Sequence, residues 1–127
     1  MKRLGLFLLV LAAVAGPGHA EEGSTTLTGS FVWEDGGTTG DLEAIFTPSE
    51  KGVWGVSFHF EFRGRPHVYT GSAKGSLSEG RLEGRVLNDN KKRTFTFEGS
   101  FAEGAFNGTH AEVVDEKSHS TGTLTLQ

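Results

Sequence analysis

The chain has 127 residues and no cysteine, and its 12 basic and 16 acidic residues give a formal net charge of −4. This length has room for one domain, and that domain cannot be stabilised by a disulfide. The acidic balance and the lack of a long basic run exclude nucleic acid and anionic membrane as expected partners. With 19 glycines and only 3 prolines, the composition favours many short strands joined by tight turns.

The first twenty residues have the pattern of a signal peptide. Lys2 and Arg3 precede an apolar stretch from Leu4 to Ala15, which is too short to span a bilayer. Small residues at Gly18 and Ala20 predict cleavage after Ala20. We therefore expect residues 1–20 to be a signal peptide and residues 21–127 to be one exported domain, periplasmic or extracellular. No later segment is apolar enough for a transmembrane helix.

Eight segments of the remaining chain alternate between apolar or glycine positions and polar positions, and none of them shows a helical period. The apolar faces, in chain order, are Leu27, Gly29, Phe31 and Trp33; Leu42, Ala44 and Phe46; Trp54, Val56, Phe58, Phe60 and Phe62; Tyr69, Gly71, Ala73, Gly75 and Leu77; Leu82, Gly84 and Val86; Phe95, Phe97, Gly99 and Phe101; Phe106, Gly108 and His110; Gly122, Leu124 and Leu126. The pattern predicts an all-β fold, a single antiparallel meander of about eight short strands.

Such a meander forms an up-and-down β-barrel or a flattened two-sheet sandwich, with the last strand pairing with the first. An outer-membrane barrel, whose apolar face points to lipid, is the rival interpretation. The segment from Leu27 to Phe31 resembles the first strand of avidin-like biotin binders, whose domains are eight-stranded barrels of similar length. The later strands lack the tryptophan and polar pattern expected of such a pocket. No family and no site residue is inferred from this resemblance.

Residues 75–86 and 99–110 align without gaps and predict a repeated hairpin with two-residue turns at Glu79-Gly80 and Glu103-Gly104. This pairing sets Leu77 opposite Leu82 and Phe101 opposite Phe106. It also sets Gly75 opposite Gly84 and Gly99 opposite Gly108, which leaves two gaps on the apolar face. Either aromatic rings from the facing wall fill these gaps, or they are room for a small apolar ligand.

Alternate turns of a meander lie at the same end, and here one end receives the segments that are expected to be longer, 34–41, 64–66, 88–92 and 114–117. Loops at one rim of a rigid barrel commonly carry binding sites. We predict a ligand-binding mouth at this end, with these residues around it: Trp33 at its edge, and His67, Tyr69, His110 and Glu112 pointing inward. The alternative is that they are simply polar residues where strands meet water.

Catalytic chemistry has little support in the sequence. His67, His110 and Glu112 are the inward candidates for a metal site, but zinc needs three or four converging ligands. There is no cysteine and no Gly-x-Ser-x-Gly elbow, and no cofactor is predicted. The run Lys91-Lys92-Arg93 is interpreted as a solvated loop.

The leading hypothesis is a non-catalytic exported domain that binds a small apolar ligand or an envelope component at the long-loop end. The second is a structural module whose outer face contacts a protein or polysaccharide partner. That face carries Arg81, Glu83, Arg85, Thr94, Thr96 and Glu98. A metal-dependent hydrolase is the third.

Overall fold

The computed structural model describes residues 23–90 and 92–127, which form a closed barrel of eight antiparallel strands in chain order. The strands are β1 (Thr25–Trp33), β2 (Thr38–Glu50), β3 (Val53–Phe62), β4 (Arg65–Gly75), β5 (Gly80–Asn88), β6 (Thr94–Ala102), β7 (Ala105–Val114) and β8 (Lys117–Leu126). The predicted all-β meander is confirmed, as a barrel. The predicted signal peptide, residues 1–20, lies outside the described residues. In residues 23–90 and 92–127, no helix is long and apolar enough to cross a membrane.

The barrel closes through pairing of β1 with β8, as the sequence predicts. Phe31 lies opposite Leu124 in this ladder. Two backbone hydrogen bonds extend the pairing beyond it, from Thr28 N to Gln127 O at 3.0 Å and from Gln127 N to Thr28 O at 2.8 Å. Closure pairs both edges of the sheet and so leaves no open edge for another chain.

The apolar faces of the strands point into the barrel and the charged faces point outward. The most deeply buried side chains are Phe46, Leu82, Phe106 and Leu126, and every buried side chain in the described residues is apolar or that of Tyr69. This orientation is the reverse of the one expected for an outer-membrane barrel, in which the apolar face is the outer one. The interior is therefore the place where hydrophobic burial stabilises the fold.

The two ends of the barrel are named here by their turns. The mouth end carries the turns at 34–37, 63–64 and 115–116 and the connection between β5 and β6, and the closed end carries the turns at 51–52, 76–79 and 103–104. Two segments that were expected to be long loops at the mouth end are in fact two-residue turns. Arg63, Gly64, Asp115 and Glu116 all have positive φ there, at 55°, 78°, 52° and 65°. Such turns match the twist of the flanking strands, so the expected difference in loop length is only partly present.

The repeated hairpin is correctly predicted in its second copy and wrong in its first. In the second copy Phe101 pairs with Phe106 and Gly99 with Gly108, and Glu103 and Gly104 form the turn with φ of 56° and 84°. In the first copy Gly75 pairs with Leu82, Gly84 pairs with Ala73, and Leu77 lies in the four-residue connection 76–79. The Ser76 hydroxyl accepts hydrogen bonds from the backbone N–H groups of Ser78 and Glu79, which stabilises this longer connection.

Two of the four glycine positions of the repeats, Gly84 and Gly108, are covered by aromatic rings. A Cβ atom added at Gly84 would lie 2.7 Å from the ring of Phe97, and one added at Gly108 would lie 2.7 Å from the ring of Phe106. The rings come from the paired strand and from the same strand, not from the facing wall as expected. These glycines therefore contribute to a dense core, and any ligand space must lie elsewhere.

Candidate functional site

A cavity of about 310 Å³ lies inside the barrel at the mouth end. Its walls are mainly apolar and aromatic. All eight strands contribute to them, as do two arginines in the connections: Phe31, Trp33, Leu42, Phe58, Phe60, Phe62, Arg63, His67, Tyr69, Val86, Arg93, Phe95, Thr96, Phe97, His110 and Leu124. This volume is at the lower limit of ordinary small-molecule sites. Phe46, Phe106 and Leu126 fill the barrel beyond it toward the closed end.

An aromatic frame surrounds the entrance to this cavity. The Trp33 ring lies between those of Phe62 and Phe95, with ring centroids 5.9 Å from each. Phe95 in turn makes a T-shaped contact with Tyr69 at 5.5 Å. Edge-to-face pairs of this kind are favourable beyond their burial alone. These contacts with Phe62 and Phe95 therefore position the Trp33 ring at the rim of the cavity.

His110 fixes the other face of Trp33. The two rings stack with centroids 6.0 Å apart and planes inclined by 22°. His110 Nε2 lies 3.0 Å from the Val32 carbonyl and Nδ1 lies 2.6 Å from the Thr121 hydroxyl. A neutral imidazole satisfies both contacts when Nε2–H donates to the carbonyl and Nδ1 accepts from the hydroxyl. Burial lowers the pKa of His110 despite the raising effect of the Val32 carbonyl, so this neutral form is the stable one near pH 7.

A β-bulge brings Thr121 to His110. His110 pairs with Gly122 and Ala111 pairs with Ser120, so Thr121 is the extra residue on β8. Gly122 has φ of 151°, and a Cβ there would lie 2.9 Å from the His110 ring. A bulge re-aims a side chain in this way, and glycine permits the close approach.

Glu112 does not line the cavity, and its role at the rim is to hold Arg93. Arg93 Nε donates to Oε2 and Arg93 Nη2 donates to Oε1, both at 2.9 Å. This bidentate contact lowers the pKa of Glu112 and raises that of Arg93. The guanidinium carbon lies 5.1 Å from the Phe95 ring centroid and 6.0 Å from that of Trp33. Glu112 thus places a cation on the aromatic frame.

Arg63, in the turn after β3, and His67, on β4, also line the entrance. The His67 ring stacks on Phe60, with centroids 5.3 Å apart and planes inclined by 15°. The guanidinium of Arg63 lies 5.3 Å from the centroid of Phe62, a cation–π distance. Within the described residues Arg63 makes no salt bridge, and it is therefore the rim cation whose charge is not neutralised by a carboxylate.

Tyr69 is the one buried residue of the cavity wall with a hydroxyl, and only 7% of it is exposed. Among residues 23–90 and 92–127, its hydroxyl makes no side-chain hydrogen bond. Burial is the main cause that raises its pKa, so the hydroxyl keeps its proton over the physiological range. A buried donor of this kind favours a partner inside the cavity.

The three residues considered as metal ligands, His67, His110 and Glu112, do not form a metal site in the described residues. In the part of the chain that the structure describes, no three His, Asp or Glu side chains are close enough to share an ion. His67 packs on Phe60, His110 bonds to Thr121 and Glu112 bonds to Arg93. The three proposed ligands therefore have separate structural contacts.

No family model, no curated protein and no solved structure matches this chain. The site must therefore be interpreted from its own chemistry.

Of the predicted site residues, Trp33, His67, Tyr69 and His110 line one cavity, and Glu112 lies behind Arg93. Their role in binding stays a prediction. Arg93 was not predicted, because its run of three basic residues looked like a solvated loop. Its position just before β6, two residues from Phe95, is a signal that could have placed it at the rim. Arg63 was not among the predicted site residues either.

Proposed function

We propose that this domain is a non-catalytic binding protein that takes up a small apolar ligand in the mouth-end cavity. The observation that carries the proposal is the cavity of about 310 Å³, walled by aromatic and aliphatic side chains inside an otherwise filled barrel. Concave, largely apolar pockets with a few polar groups are the usual form of small-molecule sites. In residues 23–90 and 92–127, no three His, Asp or Glu side chains are close enough to share a metal ion.

The test is uptake of octan-1-ol, followed by isothermal titration calorimetry and by the emission of Trp33. The chain has two tryptophans, and Trp54 lies at the closed end, where its Nε1–H donates to the Gly75 carbonyl at 3.1 Å. A ligand in the cavity should change Trp33 emission and leave that of Trp54 unchanged. Native mass spectrometry of freshly purified protein should also detect a retained apolar ligand.

A cavity-filling variant and a matched surface variant sharpen this test. Val86 is 2% exposed and lines the cavity, whereas Val68 is 41% exposed on the outer face of β4. Val86→Phe should weaken octan-1-ol binding at least about tenfold, since the added ring occupies ligand space, while Val68→Phe should bind normally. If Val86→Phe does not fold, Leu42→Phe fills the cavity from β2. Unchanged binding in a folded filling variant, or no uptake by the wild type, contradicts the proposal.

The proposal includes export of the domain, to the periplasm or the extracellular medium. It is supported by the amino-terminal sequence pattern alone. Expression of the full chain followed by cell fractionation and intact-mass measurement should give an exported product beginning at Glu21. A cytoplasmic product that retains Met1 or Lys2 contradicts this part of the proposal.

A second candidate function is an interaction module, because a polar groove of about 610 Å³ crosses the outer face of the barrel. Glu83, Arg85, Thr96 and Glu98 line it, and all four belong to the outer face singled out in the sequence. Arg81 lies beside the groove in exposed ion pairs with Glu83 and Glu98, at 3.4 and 3.5 Å. An envelope protein or polysaccharide that co-purifies with the wild type and is lost on Arg81→Glu and Arg85→Glu would support this candidate. Retention by that variant would contradict it.

A further inference from the structure

The charged residues that line the mouth-end cavity are both cations. Arg63 and Arg93 belong to its wall, and no Asp or Glu does. This is notable in a chain with a net charge of −4, in which acidic side chains outnumber basic ones. A cavity whose apolar walls concentrate the field of two guanidinium groups attracts negative charge and repels positive charge.

Arg93 is held in place before any ligand arrives, whereas Arg63 is an exposed side chain. Arg93 lies over Phe95 and is fixed by Glu112, which uses Nε and Nη2 and leaves the Nη1 hydrogens free of that contact. Arg63 lies over Phe62, and its charge is not balanced by a carboxylate in the described residues. Glu112 offsets much of the charge of Arg93, so Arg63 supplies the net positive charge of the entrance. Donors that are already oriented lose less conformational entropy on binding.

Tyr69 adds a third donor on the inner side. It is 7% exposed and lines the cavity, and its hydroxyl has no side-chain partner in residues 23–90 and 92–127. The Tyr69 ring contacts Phe95 with centroids 5.5 Å apart, and the Arg93 guanidinium lies 5.1 Å from the centroid of the same Phe95 ring, so Tyr69 and Arg93 flank one side chain of the cavity wall. A group that accepts hydrogen bonds and carries negative charge would satisfy both residues at once.

The size of the cavity limits the rest of the ligand. A volume of about 310 Å³ corresponds to about ten groups the size of a water molecule or a methylene, at ~30 Å³ each. The walls beyond the arginines are rings and aliphatic side chains, which match an apolar body. A medium-chain carboxylate therefore fits better than a long lipid.

Resting on the proposed function, we infer that the ligand is a small apolar anion of about ten non-hydrogen atoms, whose carboxylate is bound by Arg63, Arg93 and the Tyr69 hydroxyl. The apolar body lies among the aromatic walls and the head group faces the entrance. A neutral ligand would leave the charge of Arg63 without a partner. A cationic ligand would be repelled by Arg63.

The test compares three probes with the same eight-carbon chain by calorimetry at low ionic strength: octanoate, octan-1-ol and octylammonium. Octanoate should bind at least about tenfold more tightly than octan-1-ol, in line with one additional charge-assisted contact. Octylammonium should bind more weakly than either. Added salt should weaken octanoate binding more than octan-1-ol binding.

Three variants locate the head group. Tyr69→Phe keeps the ring and removes the hydroxyl. Arg63→Gln removes the positive charge that lies over the Phe62 ring. Arg93→Gln is made together with Glu112→Gln, so that no partly buried carboxylate is left without its partner. Each should lower octanoate affinity toward that of octan-1-ol and leave octan-1-ol binding nearly unchanged. Arg65→Gln, which removes an exposed arginine outside the cavity wall, is the matched control and should bind octanoate normally.

The outcomes separate this inference from the proposed function. Tight octanoate binding that is lost in the variants supports both. Equal binding of octanoate and octan-1-ol overturns the anion inference and leaves the apolar binding function standing. Equal losses for both probes in Tyr69→Phe overturn the assignment of the head group to that hydroxyl. No binding of any probe overturns both proposals.

Discussion

The two ends of the barrel use the same kinds of side chain to different effect. At the closed end, Phe46, Phe106 and Leu126 pack against one another and are almost completely buried. At the mouth end, Trp33 and Phe95 are only partly buried and lie on His110 and Arg93, which are bound to the barrel wall and to Glu112. The closed-end rings are enclosed on all sides by the apolar core, whereas the mouth-end rings pack both on one another and on anchored polar groups at the rim. A cavity can therefore persist in a barrel rich in phenylalanine.

The largest effect that distinguishes the two ends is the response to ring removal. Phe106→Ala removes a fully buried ring and should lower the free energy of unfolding by about 3–5 kcal/mol. Phe62→Ala removes a partly exposed ring at the rim and should cost less than about 2 kcal/mol. Urea denaturation monitored by circular dichroism measures both. Equal losses would mean that the mouth end is as tightly packed as the closed end.

A smaller loss of stability should follow from Gly122→Ala, which disturbs His110, the side chain that stacks on Trp33. The Cβ would contact the Val32 carbonyl and lie 2.9 Å from the His110 ring, and the positive φ of 151° adds strain. We expect a loss of about 1–3 kcal/mol together with a change in Trp33 emission. The control is Gly36→Ala, since Gly36 also has positive φ but has open space around its Cβ position. It should lose less stability and leave the emission unchanged.

Much of the fold follows from the sequence because apolar or glycine positions alternate with polar positions in all eight segments that form strands. The inward faces, the order of the strands and the pairing of the last strand with the first all depend on that pattern. The register of β4 and β5 does not. Glu79-Gly80 looks like a two-residue turn, but the hydrogen bonds of the Ser76 hydroxyl stabilise a four-residue connection. Two competing turns differ by local contacts that a pattern of apolar residues does not record.

The sequence predicts a binding mouth at the same end as the cavity, and its role in binding stays a prediction. Strand order brings His67, Tyr69 and His110 to one end, and the structure places them around one cavity. The space itself could not be predicted, since two of the glycines that suggested it, Gly84 and Gly108, are covered by the rings of Phe97 and Phe106. Cavity position depends on rotamers and on the β-bulge at Thr121, neither of which has a sequence signature here.

A pH dependence should distinguish the His110 anchor from the packing of the closed end. Because burial lowers the pKa of His110 below its ordinary 6.5, the unfolded chain binds a proton more readily than the folded one. Its contribution to stability is complete above pH 6.5 and is lost as the pH falls through the lowered value. His110→Gln, whose amide can still donate to the Val32 carbonyl, should flatten the decline in urea midpoint between about pH 7 and pH 5. An unchanged slope would show that His110 titrates equally in both states.

The smallest expected effect concerns the pair of Arg93 and Glu112. The Arg93 side chain is 46% exposed and the Glu112 side chain is 21% exposed, so solvent screens the interaction between them. Glu112→Gln should therefore cost less than about 1 kcal/mol at neutral pH. The hydrogen bond from Arg93 lowers the pKa of Glu112, so the stability it contributes is present above the ordinary value of 4.5 and is lost as the pH falls through the lowered one. Urea midpoints of the wild type and the variant should converge at low pH. A loss above 2 kcal/mol would instead mean that the rim cation stabilises the aromatic frame and that the mouth end, like the closed end, depends on each of its contacts.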